Sequence, residues 1–230
     1  MRTQSDFTEG KILGPLLKFS LPVLFAMLLQ AMYGAADLLI VGQFGAAADV
    51  SAVSTGSQIM QTITSVITGL SMGTTILLGQ KIGQKKPEEA GNVIGAGVCI
   101  FAVLALFLTA AMTLFAGPFC AAMQAPAEAF DKTVDYVRIC SAGAVFIVAY
   151  NVLGSIFRGM GDSKTPLLAV FIACICNILG DLLFVAVFHM AAAGAALATV
   201  LAQALSVVLC VLVVRRRGLP FPFSRKNLRF

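Results

Sequence analysis

Residues 166–188 read PLLAVFIACICNILGDLLFVAVF. A helix of this length crosses the hydrocarbon core of a bilayer, which takes ~20 residues at 1.5 Å each. Only one charge, Asp181, lies inside the run. Five more apolar runs of spanning length cover residues 15–41, 52–78, 91–115, 133–157 and 191–214. The chain is 59% hydrophobic and 12% charged over 230 residues, with mean hydropathy +0.93. A water-soluble domain of that composition would carry a largely apolar surface. The expectation is an all-α membrane protein of six transmembrane helices.

Charge distribution sets the orientation. Fourteen of the 16 Lys and Arg fall in segments that share one side if the spans alternate, leaving Lys132 and Arg138 on the other. The basic side is expected to be cytoplasmic, with both termini there. The domain reading is a cytoplasmic segment over 1–14, a six-helix lobe over 15–214 and a basic cytoplasmic tail or linker over 215–230. The net charge of +5 is accounted for by membrane orientation, so no nucleic-acid partner is expected. The polar start, without a short apolar core and cleavage site, is not a signal peptide.

Asp37, in the first span, is the second isolated carboxylate. A charge at this depth costs roughly 2.5–3.5 kcal/mol on insertion scales and marks function. Asp37, Asp181 and Thr199 lie about 8, 10 and 12 Å from the outer ends of their spans, counting 1.5 Å per residue. Asn177 and Asp181 share a helix face, and Gln30, Tyr33, Gly34 and Asp37 form a polar stripe on the first span. Asp37, Asn177, Asp181 and Thr199 therefore offer hard oxygen ligands for an alkali cation such as sodium. A buried carboxyl pair is equally suited to holding a proton. Tyr136 and Asn151, in the fourth span, are more ambiguous, and Asn151 is also placed to join helices.

Other features bear on packing or exclude chemistry. Pro22 removes a backbone bond inside the first span and should bend it. Gly69 with Gly73, and Gly91 with Gly95, have the spacing of close-packed membrane helices. The six cysteines read as small packing residues. The turn from Gly159 to Thr165 lacks phosphate-loop spacing, and Asp162 with Pro166 reads there as a helix start. The single His189 has no nucleophile or acid arranged with it, so no enzyme is expected, and no cofactor beyond the coupling ion. A membrane-embedded hydrolase fits poorly. A lipid-linked glycan flippase would call for Arg within its spans, and no span here carries a mid-membrane Arg or Lys.

These residues resemble the multidrug and toxic compound extrusion (MATE) transporters. The matching stretches are Leu21-Pro22 through Asp37 to Val41-Gly42, and Arg158-Gly159-Met160-Gly161-Asp162 with Pro166. They continue with Asn177-Ile178-Leu179-Gly180-Asp181, Gly194-Ala195-Ala196 and Ala198-Thr199. The resemblance implies one lobe of a two-lobe, cation-coupled antiporter that exports drugs or other organic compounds. It implies a cation site at Asp37, Asn177, Asp181 and Thr199, with Tyr33, Tyr136 and Asn151 as supports and Pro22 as the bend. It also implies a second six-helix lobe as partner, an organic small-molecule substrate, surrounding lipid, and a bacterial inner (plasma) membrane.

Overall fold

The computed structural model describes residues 13–218, and all described elements are helical. The segment expected over 1–14 and the tail over 215–230 lie almost wholly outside the described residues. Helix α1 runs Leu13–Phe44, α2 Ala47–Gly83 and α3 Pro87–Leu114. A short helix α4, Ala116–Ala122, and a 3-10 turn, Ala127–Ala129, lead to α5, Phe130–Ala142. Then come α6, Ala144–Gly159, α7, Lys164–Asp181, a π-helical turn, Leu182–Val187, and α8, Ala191–Arg217. Five of the spans are continuous, and α5 with α6 makes a sixth that is bent by 51°.

The bundle is built from two packed groups. Helix α7 lies along α8 and α1, while α2 lies along α6 and α5, and α6 bridges to α3 and α8. The α2–α6 contact is close because Gly159 has no side chain. A Cβ there would sit 3.0 Å from Leu78 and from the Thr75 carbonyl oxygen. Hydroxyls tie the same seam: Ser155 Oγ donates to Ser71 Oγ at 2.9 Å, and Thr75 Oγ1 to the Ser155 carbonyl at 3.1 Å. In hydrocarbon, where apolar burial gives little drive, such small-residue contacts and hydrogen bonds are what hold helices together.

Ion pairs sort to the two ends. At one end Lys81 and Lys86 pair with Glu89, and Arg217 pairs with Asp162 at 3.5 Å. Asp162 Oδ1 also caps α7, accepting from the Lys164 and Thr165 backbone N–H groups at 3.1 and 3.0 Å. At the other end Lys132 reaches the buried Asp49 at 2.8 Å.

Two expectations change, at the fourth span and at Gly69 with Gly73. The fourth span is not one helix: it breaks at Gly143, between α5 and α6. Gly69 and Gly73 face outward with nothing within 4 Å of an added Cβ, because α2 packs on α6 through Ser71, Thr75 and Leu78 instead. Gly91 and Gly95 are buried. Pro22 lies within α1, which stays helical from Leu13 to Phe44.

Candidate cation site

Three helices each contribute two polar residues four positions apart, which places each pair on one face. Helix α1 carries Tyr33 and Asp37, α7 carries Asn177 and Asp181, and α8 carries Thr199 and Gln203. Thr199 Oγ1 donates to Asp37 Oδ2 at 3.2 Å, and Asn177 Nδ2 donates to Thr199 Oγ1 at 3.4 Å. One turn along, Gln203 Nε2 donates to the Tyr33 hydroxyl at 3.2 Å. The Asp181 carboxyl lies close enough to Asp37 to interact with it directly.

Burial is nearly complete at the centre: Asp37 is 3% exposed, Asn177 1% and Asp181 0%. Among the described residues, the buried side-chain oxygens without a hydrogen-bond partner include Asp37 Oδ1, Asn177 Oδ1, both Asp181 oxygens and Gln203 Oε1. All five are acceptors. Two ionised carboxylates that face each other supply no donor between them, and leaving a buried ionised group uncompensated is expensive. A proton or a small monovalent cation supplies what the cluster lacks, and carboxylate, amide and hydroxyl oxygens are hard donors suited to an alkali ion.

Local packing fixes the two halves of this site. Helices α7 and α8 are joined by the π turn and three residues, Phe188 to Met190, and the tight reversal expected at His189-Met190 is present. A Cβ at Gly180 would lie 3.1 Å from the Ala198 Cβ, so the two helices touch beside Asp181 and Thr199. The π turn starts at the residue after Asp181, and π turns inside helices often accompany functional sites.

The structure brings Asp37, Asn177, Asp181 and Thr199 together and sets Tyr33 beside them. Gln30 is half-buried on the same helix and makes no bond to the cluster. Tyr136 is buried over Gly56, its hydroxyl sharing a hydrogen bond with Ser57 Oγ at 3.1 Å. Asn151 joins helices: its Oδ1 accepts from Thr68 Oγ1 at 2.8 Å, and its Nδ2 donates to the Ile147 carbonyl at 2.9 Å. Gln203 is a member that the sequence reading misses. Its signal is the i, i+4 spacing from Thr199, which mirrors Tyr33–Asp37 and Asn177–Asp181.

The MatE family model matches residues 22–183, from Pro22 through both aspartates. The chain belongs to the MatE family. This is a family of multi-pass membrane transporters, not of enzymes. A curated MatE relative from Bacillus subtilis (strain 168), "Probable multidrug resistance protein YpnP", is 30% identical over 96% of this chain and 50% of its own length. A solved MOP-superfamily transporter from Pyrococcus furiosus superposes with TM-score 0.88 at 25% identity, over 100% of this chain and 51% of that one. A solved MATE in a bent conformation gives TM-score 0.84 at 27% identity, over 93% of this chain and 49% of that one. The chain thus spans about half the length of the relatives it matches, as one lobe of a two-lobe MatE transporter does.

Proposed function

We propose that this chain is the cation-binding lobe of an antiporter that exports drugs or other organic compounds in exchange for inward sodium or protons. The observation that carries the reading is the group of buried acceptor oxygens on Asp37, Asn177 and Asp181 that receive no donor. Binding one positive charge cancels one of the two negative charges on the facing carboxylates and draws α1 toward α7 and α8. Release lets α1 repack, and Pro22 supplies the point where its backbone ladder is already missing a bond. Because the cation binds one arrangement of α1 better than the other, it biases the lobe between two states. Substrate affinity on the exposed side changes with that bias.

The substrate path runs along α2, against a second six-helix lobe. Gln58, Gln61, Thr62 and Ser65 are exposed on α2 in the middle of a spanning helix. The Thr62 and Ser65 hydroxyls bond back to the Gln58 and Gln61 carbonyls at 2.9 and 2.8 Å. Exposed amides do not face lipid tails, so this stripe fits a water-lined cleft or a protein partner. Binding sites between repeated lobes are a general feature of secondary transporters. The basic end of the bundle is cytoplasmic by the positive-inside rule, in a bacterial inner membrane.

The test is efflux of a fluorescent organic cation from vesicles, with this chain and a second lobe present and the sodium and pH gradients imposed separately. Export driven by one of them, and lost in Asp37→Asn, supports the reading. Export in Asp37→Asn with unchanged dependence on both gradients overturns it.

A further inference from the structure

The break in the fourth span is not required by backbone conformation. Gly143 sits at φ −87° and ψ 1°, which any residue adopts. What a side chain there lacks is space. A Cβ on Gly143 would lie 2.5 and 2.6 Å from the two methyls of Val200 and 3.1 Å from its Cβ. Valine is branched at Cβ and stiff, so rotation cannot clear both methyls. Helix α8 or the bend itself therefore has to shift for any other residue to fit at position 143.

Val200 follows Thr199, the hydroxyl that links Asp37 to Asn177. Those two bonds, at 3.2 and 3.4 Å, are already long for their type, and a shift of a few tenths of an ångström breaks them. On its other side α8 cannot yield freely toward α7. A Cβ on Gly180 would meet Ala198 at 3.1 Å, and one on Gly194 would meet Phe184 of the π turn at 3.0 Å. The segment from Gly194 to Val200 is seated between α7 with its π turn on one side and the bend between α5 and α6 on the other.

We infer that Gly143 is a positioning residue for the cation site: the bend of the fourth span receives Val200 and thereby sets the depth and rotation of Thr199 between Asp37 and Asn177. It acts through Val200 and touches no cation. The inference rests on the proposed cation role of the aspartates. It further implies that straightening the fourth span and reshaping the site are one motion.

The test uses the transporter assembled with its second lobe and measures transport against sodium concentration at fixed pH, and against pH at fixed sodium. Gly143→Ala is expected to weaken half-saturation by the driving cation about tenfold, the equivalent of ~1.4 kcal/mol, with the maximal rate at saturating cation kept. Val200→Ile, which crowds the same contact without touching the bend, is expected to act in the same direction. Gly143→Ala combined with Val200→Ala removes both methyls from the clash and is expected to restore parental half-saturation. A general packing defect would instead lower the maximal rate and leave half-saturation at the parental value. Gly143→Ala and Val200→Ile with parental cation dependence overturn the inference, as does a double variant that stays weakened. Asp181→Asn run in parallel separates the two readings: if it too keeps parental cation dependence, the cation assignment itself fails.

Discussion

Replacing Asp181 by asparagine should make the cation-free protein more stable while removing its response to cation. Asp181 is fully buried, and among the described residues neither of its oxygens has a hydrogen-bond donor. It faces Asp37, whose Oδ1 is also without one. An asparagine amide at this position occupies the same volume, carries no charge and brings an N–H donor next to a carboxylate that lacks it. Satisfying one buried acceptor and removing another should yield about 1–3 kcal/mol. For a chain of this size that is roughly 2–4 °C of melting temperature per kcal/mol. A ligand that binds only the folded state at a hundred times its Kd adds about 2.7 kcal/mol, so parental protein should gain a further rise in sodium or on acidification. The assay is thermal unfolding of the purified chain in detergent, in choline or sodium chloride, across a pH series. Asp181→Asn should melt above the parent at high pH in choline and should respond little to either variable. A variant that melts lower and still responds like the parent would refute the assignment of the orphaned oxygens to a cation.

Three further substitutions separate the site from its scaffold. Thr199→Val deletes the hydroxyl bridging Asp37 and Asn177 and should weaken cation half-saturation by about tenfold, near 1.4 kcal/mol, in transport titrations, whereas Thr199→Ser should keep it. Asn151→Leu removes the tie to Thr68 and should cost about 1 kcal/mol of stability by melting, with cation dependence unchanged; a lost cation response would return Asn151 to the site. Lys132→Met leaves Asp49 buried without its partner, but Lys132 is itself half exposed, so the loss should be about 1–2 kcal/mol rather than the larger cost of a sealed ion pair. Unfolding of that variant at parental temperature would contradict this.

Much of the site is legible in the sequence because hydrocarbon makes charges conspicuous. Asp37 and Asp181 stand out in apolar runs, and helical spacing alone gives Asp181 the company of Asn177. The short connection between the last two spans does the same for Thr199. Gln203 escapes notice because its flanking alanines hide it in a hydrophobic window, although its spacing from Thr199 repeats the pattern of the other two helices. The break at Gly143 is hidden for a different reason. The two halves differ in polarity, α5 carrying Asp131, Lys132, Asp135 and Arg138 and α6 being apolar, but the glycine between them has an ordinary backbone conformation, and the need for it comes from Val200, far along the chain. The π turn after Asp181 has no composition of its own, being Leu, Phe, Val and Ala like the rest of the span. Gly69 and Gly73 carry a packing motif on a face that meets no other helix among the described residues, since spacing identifies a face but not its partner.

The most direct measurement is equilibrium binding to the purified chain: sodium titrated calorimetrically at fixed pH, with proton uptake or release followed potentiometrically in the same sample. The expected result is a single saturable site that takes up one sodium or one proton, present in the parent and absent from the double variant Asp37→Asn with Asp181→Asn. A double variant that binds sodium and titrates as the parent does would contradict it.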